Sequence, residues 1–185
     1  MPGISPRGLG PACAKAVSLF LLICAAGLCG AMDPPRFTYS VSLGGYSSAA
    51  FPQTESLEIS ARAESDARRA FSPYLGLRFL LPTDAPGAEG TFLGIGAGCT
   101  LFYAKEHPFR WMSARDTAWA PSAGITAFVP LSNPLSPRYR LEMSPLRLFN
   151  GQGYYSILPL YLALDGEARI SGWGLGLFEF SYAMP

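Results

Sequence analysis

From Phe37 to Gly44 the chain alternates without a break: Phe37, Tyr39, Val41 and Leu43 fall on one parity, Thr38, Ser40, Ser42 and Gly44 on the other. A period of two is that of an extended strand, whose successive side chains point to opposite faces. Seven further stretches carry the same signal. Leu57 to Arg62 alternates more weakly. Leu75, Leu77, Phe79 and Leu81 oppose Gly76 and Arg78, and Leu93, Ile95, Ala97, Cys99 and Leu101 oppose Gly94, Gly96, Gly98 and Thr100. Ala123, Ile125, Ala127 and Val129 oppose Gly124, Thr126 and Phe128, while Tyr139, Leu141 and Met143 oppose Arg140, Glu142 and Ser144. Leu158, Leu160, Leu162 and Leu164 share a face opposite Pro159 and Tyr161. In the last segment, Arg169 to Tyr182, the aromatics Phe178, Phe180 and Tyr182 alternate with Glu179 and Ser181.

Turn chemistry separates these eight segments: Gly44-Gly45, Thr83 to Gly87, Ser132-Asn133-Pro134, Asn150-Gly151 and Asp165-Gly166 are all breaker clusters. Short turns between neighbours predict an all-β, antiparallel up-and-down meander. Closing it into a barrel of about eight strands removes edges that would aggregate or leave backbone groups unpaired. Several segments approach the roughly 9–11 residues that a tilted strand needs to cross a bilayer. Glu64 to Ala70 fits either a single helical turn or a polar loop.

Alternation alone does not say which face is inside. A soluble barrel buries its apolar face; a membrane barrel shows it to lipid and keeps polar or small residues within. Large residues crowd the apolar parity here and glycines the other, which suits the narrow interior of a small barrel. That parity points Glu58, Arg62, Arg78, Arg140, Glu142, Arg169 and Glu179 into the lumen as a charge network, and Phe178, Phe180 and Tyr182 outward to lipid. Charges of both signs can pair there, as buried charges must. The same charges would also suit the solvated face of an open sheet. The parity slips twice: at Ser144-Pro145-Leu146, and between Trp173-Leu175-Leu177 and Phe178-Phe180-Tyr182. A β-bulge near Gly172 to Gly176 would keep all these apolar groups on one face.

The amino-terminal end sets the expected compartment. Two positive charges, Arg7 and Lys15, precede the apolar run Ala16 to Leu28 and the small residues Cys29-Gly30-Ala31. This is the layout of a cleaved secretory signal peptide at 1–31, leaving a barrel domain at 32–185. Ile23 and Leu28, ahead of Cys24 and Cys29, depart from the small residue that a lipid-anchor motif wants. Removal of the signal takes Cys13, Cys24 and Cys29 with it. Cys99 is left as the sole cysteine, with no internal disulfide and no cysteine-rich metal site. Without Arg7 and Lys15, twelve basic residues face thirteen acidic ones, a net of about −1, and Lys105 is the only remaining lysine. No basic stripe is present, so nucleic acid is not an expected partner.

Catalytic patterns are sparse. The one histidine, His107, lies in Lys105-Glu106-His107-Pro108, which reads as a polar surface turn rather than a nucleophile's base. Gly94 to Gly98 continues as a strand and does not open a helix, as a phosphate-binding loop would. No metal cluster, cofactor site or catalytic residue is expected. Trp111 and Trp119, with Tyr39, Tyr46, Tyr103, Tyr139 and Tyr182 near strand ends, fit aromatic girdles at two membrane interfaces; ordinary packing aromatics would look the same.

The signal-like start, the eight alternating segments and the closing aromatics together resemble the small eight-stranded outer-membrane β-barrels, the group of the OmpA transmembrane domain and OmpW-like proteins. The resemblance covers most of the chain after residue 31. That group's insertion signal ends on an aromatic, whereas this chain runs on through Ala183-Met184-Pro185. The resemblance implies a place in the bacterial outer membrane, with outer-membrane lipid and the barrel-assembly machinery as partners. The expected role is non-enzymatic: structural, adhesive through a surface ligand, or a narrow porin-like passage for a small hydrophobic solute. Two alternatives stand beside it, a secreted or periplasmic lipocalin-like ligand-binding barrel and an outer-membrane lipid-modifying enzyme.

Overall fold

The computed structural model describes residues 36–48, 55–65, 71–82, 91–109, 116–133, 137–165, 167 and 169–183. The expected signal segment with its three cysteines lies outside them, as do Trp111, the turn at 83–87, the stretch 66–70, and Met184 and Pro185. The Tyr46 side chain is likewise outside the description. Eleven extended segments follow in order: β1 (Arg36–Ser48), β2 (Ser56–Glu64), β3 (Ser72–Pro82), β4 (Phe92–Thr100), β5 (Ala118–Trp119), β6 (Ser122–Pro130), β7 (Arg138–Ser144), β8 (Leu146–Phe149), β9 (Tyr154–Ile157), β10 (Leu160–Leu164) and β11 (Ile170–Ala183). The described residues contain no helix.

These segments build eight barrel strands, because β5 with β6, β7 with β8, and β9 with β10 are each one strand interrupted in the middle. The order β1-β2-β3-β4-β6-β7-β10-β11 closes through β1 against β11, and every pairing is antiparallel. Each strand therefore lies beside its sequence neighbours, a closed up-and-down barrel. All eight alternating stretches of the sequence are strands. The seventh begins earlier than its leucine pattern suggested, at Tyr154, and the fourth leaves the ladder at Thr100.

Each interruption holds a proline, Pro121, Pro145 or Pro159, which cannot donate to the ladder. The register sets all three at one level: Ser122 faces Ser144, and Met143 faces Leu160. The same belt continues into β11. The Leu158 amide donates to the Leu177 carbonyl at 3.2 Å, and the Gly176 amide to that of Pro159 at 2.8 Å. Opposite, Leu43 pairs with Phe178 while Gly44 pairs with Gly176, so Leu177 is an extra residue, a β-bulge. Gly176 is required at this crossing. A Cβ there would run into the Pro159 ring and lie 3.0 Å from the Tyr161 hydroxyl.

The bulge settles the parity of the closing strand. Glu179 and Ser181 face inward, but Gly174 and Gly176 do so before Leu177, so Trp173, Leu175 and Leu177 stay outside. Around the wall, the exposed side chains are apolar: Leu77 54%, Ile95 49%, Leu177 61% and Phe180 57%. The interior is filled instead. Leu80, Phe92, Phe128, Tyr161 and Ala163 cluster at one end, and Ala120, Phe149 and Tyr154, with Tyr103 against them, at the end that carries Arg36 and Ala183. Between the two clusters lie charges.

Candidate functional site

The lumen network grows from the alternate residues of β2, where Glu58, Arg62 and Glu64 all point inward. Glu58 is one corner of a closed ring of four. Arg140 donates to both of its carboxylate oxygens, at 2.6 and 3.0 Å, and Arg78 donates to it at 2.6 Å. Glu142 completes the ring: Arg140 donates to it at 3.0 Å, Arg78 donates to its other oxygen, and the Tyr74 hydroxyl adds a bond at 2.8 Å. β2 and β7 are the second and sixth of eight strands, so the ring spans the barrel's diameter. Gly98 makes room for it, since a Cβ there would collide with the Tyr74 hydroxyl.

Two further pairs continue along β2. Arg62 donates to Glu179 at 2.5 Å, which also accepts from Tyr154 at 3.1 Å and from Ser40 at 3.2 Å. The Arg62 guanidinium lies 4.9 Å from the Tyr74 ring centre and 5.3 Å from that of Tyr154. Nearer the terminal end, Arg147 donates to Glu64 and to the Thr100 hydroxyl, both at 2.8 Å, and stands 3.8 Å over the Tyr154 ring. Among the described residues these pairs set four glutamates against four arginines, all with little solvent exposure; a fifth arginine, Arg138, lies over the Phe92 ring in the far cluster. Such pairs hold because each charge has several partners; an unmatched one would carry its whole desolvation cost.

Of the seven charges expected inside, Glu58, Arg62, Arg78, Arg140, Glu142 and Glu179 meet in this network. Arg169 does not. Its side chain is 64% exposed and pairs with Glu167 in the last turn at 2.9 Å. Counting back by twos from Glu179 puts Arg169 inside, and the shifts at Leu177 and at Ser171 cancel. But β11 begins only at Ile170; Arg169 lies in the turn before it, its amide donating to the Asp165 carboxylate at 2.9 Å, and turns out. Glu64 and Arg147 were missed. Glu64 simply extends the Glu58–Arg62 alternation. Arg147 returns inward once Pro145 is read as an interruption of the strand.

The outward aromatics also take definite places. Phe178, Phe180 and Tyr182 are exposed on β11, with Tyr39 directly across from Tyr182. Trp119 stands edge-on to Phe102 and Phe109 and donates its indole N–H to the Pro145 carbonyl at 2.6 Å. Tyr139 is buried rather than part of an exposed girdle, and Tyr103 packs over the lumen mouth. His107 departs from the surface position expected of it. It is buried, near Phe109, with Nε2 3.3 Å from the Thr117 carbonyl, because its segment folds back on the hairpin that Ala104 and Trp119 close. Cys99 is a free, half-buried thiol on the outer parity of β4. No protein-family model matches this chain, and none of the curated proteins is similar to it in sequence.

Proposed function

We propose that this chain is a bacterial outer-membrane barrel of the small eight-stranded kind, exported by a cleaved signal peptide and inserted by the barrel-assembly machinery. Its architecture is that of the OmpA transmembrane domain and OmpW-like group. One observation carries the reading: the partition of side chains is inverted relative to a water-soluble barrel. Arg140 is fully buried in the lumen while Leu77, Ile95 and Phe180 stand about half exposed on the outer wall. Lipid around the wall covers that apolar surface, and closing the sheet removes the open edge that lipid could not satisfy. A lipocalin-like carrier keeps its apolar residues inside around a cavity, so the outward wall favours lipid over an internal ligand.

The role is structural and non-enzymatic, carried by the wall and the loops. Arg–Glu pairs crossing the diameter, with apolar clusters above and below, fill the path that a solute would take. Cell fractionation with detergent extraction tests the placement: the protein is expected in the outer-membrane fraction, with heat-modifiable migration in detergent gels. Recovery from the soluble periplasm without detergent would overturn it. Planar-bilayer recording is expected to show no unitary conductance; regular open-channel steps would replace the structural role with passage.

A further inference from the structure

Beyond the lumen, the barrel carries a cleft of about 660 Å³ at its terminal end, lined by Tyr103, Lys105, Asp116, Phe149, Asn150 and Gly151. That is the size of a small-ligand site. Its walls come from two turns that β-pairing brings together. Tyr103, Lys105 and Asp116 stand on the hairpin arm that the Ala104–Trp119 bridge closes, and Phe149 to Gly151 on the tight turn between β8 and β9.

The chemistry of the lining is bipolar. On the anion-binding side, Lys105 is exposed and, among the described residues, has no ion-pair partner. The Asn150 side-chain oxygen accepts from the Gln152 and Gly153 amides at 3.1 and 2.9 Å, which leaves its NH2 to donate outward. Arg36 adds positive charge beside them, donating to the Gly151 carbonyl at 3.1 Å. On the cation-binding side stands the Asp116 carboxylate. The half-buried Tyr103 ring lines the same cleft, packed at 68° on the buried Phe149 with centres 6.3 Å apart. An aromatic ring open to a cleft attracts alkylammonium groups.

The geometry points to a binding site for a small zwitterion, its anionic group on Lys105 and Asn150 and its ammonium group between Asp116 and the Tyr103 ring. Phosphoethanolamine has this chemistry, either as a free compound or as a lipid headgroup at the rim. The site does not rest on the membrane reading.

Calorimetric titration of the purified, folded full-length chain with phosphoethanolamine, ethanolamine and inorganic phosphate tests it. Phosphoethanolamine is expected to bind about tenfold tighter than either half, since two charge-assisted contacts act together. Lys105→Gln is expected to weaken phosphoethanolamine and phosphate but not ethanolamine; Asp116→Asn is expected to weaken phosphoethanolamine and ethanolamine but not phosphate. Both side chains are exposed, and heat-modifiable migration verifies that each variant keeps a closed barrel. Equal affinity for the three probes, no saturable phosphoethanolamine binding by the closed barrel, or variants that bind like the parent would each refute the site. A second arm uses nanodiscs with and without phosphatidylethanolamine. Loss of free-probe binding only in the former identifies a lipid headgroup, retention in both identifies a soluble compound, and either upholds the cleft.

Discussion

Arg140 and Glu58 grip each other across the full width of the barrel, two guanidinium nitrogens on two carboxylate oxygens at 2.6 and 3.0 Å. They are 82 residues apart in the chain and sit on strands with three others between them on either side. The bond is a crossbar, holding opposite walls at a fixed distance.

Removing one end of that crossbar strands the other. Arg140→Met is expected to destabilise the barrel by about 3–5 kcal/mol in denaturant unfolding from detergent or lipid. The double variant Glu58→Leu with Arg140→Met keeps the Arg78–Glu142 pair and leaves the lumen's net charge unchanged. It should lose less than the Arg140 change alone. A double variant as unstable as the sum of the singles would show that the ring does not act as a unit.

Alternation places Arg169 in the lumen and passes over Arg147; the structure reverses the two, and they should separate sharply. Arg147→Met breaks a buried pair with Glu64 and is expected to cost about 3 kcal/mol or more. Arg169→Met removes an exposed pair with Glu167 and should stay within about 1 kcal/mol of the parent. Chemical unfolding of both variants under one condition makes the comparison. Similar losses would contradict the placement of Arg169 outside.

Deleting Leu177 removes the bulge. Gly176 then adjoins Phe178 directly, so Trp173 and Leu175 stay outside, Gly174 and Gly176 stay inside, and β11 meets β1 in an unbroken register. Deleting Leu175 instead leaves the bulge in place and reverses every residue of β11 before it, turning Trp173 toward the lumen that Tyr161 already fills. We expect the heat-modifiable, closed form to persist in gels without Leu177 and to disappear without Leu175. Loss of the closed form on deleting Leu177 would mean that the barrel needs the bulge itself in order to close.

The outer wall offers a direct test of its solvent. Ile95 lies mid-strand and faces out, opposite Leu77 and Ala127. In vesicles, Ile95→Arg is expected to cost about 2–4 kcal/mol of folding stability, the effect of a cation near the bilayer midplane. On a wall facing water the same exchange would stay near 0.5 kcal/mol. Refolding yields into vesicles across a denaturant series distinguish the two.

Much of this was legible in the chain itself. The alternation of Phe37-Tyr39-Val41-Leu43 with Thr38-Ser40-Ser42, repeated seven times between turn signals, determines eight antiparallel strands because strand side chains have a period of two. It also places Glu58, Arg62, Arg78, Arg140, Glu142 and Glu179 on one parity. What periodicity does not carry is its own breaks. Whether an extra residue is inserted at Leu177, and how the walls reset after Pro121, Pro145 and Pro159, depends on how neighbouring strands pair. That pairing alone decided that the strand stops short of Arg169, which turns out, and that Arg147 turns in. It also chose the partners: nothing local in Glu58 names Arg140, 82 residues away. Only closure of the sheet brings the second and sixth strands face to face, and only a narrow lumen makes their charges meet rather than remain solvated.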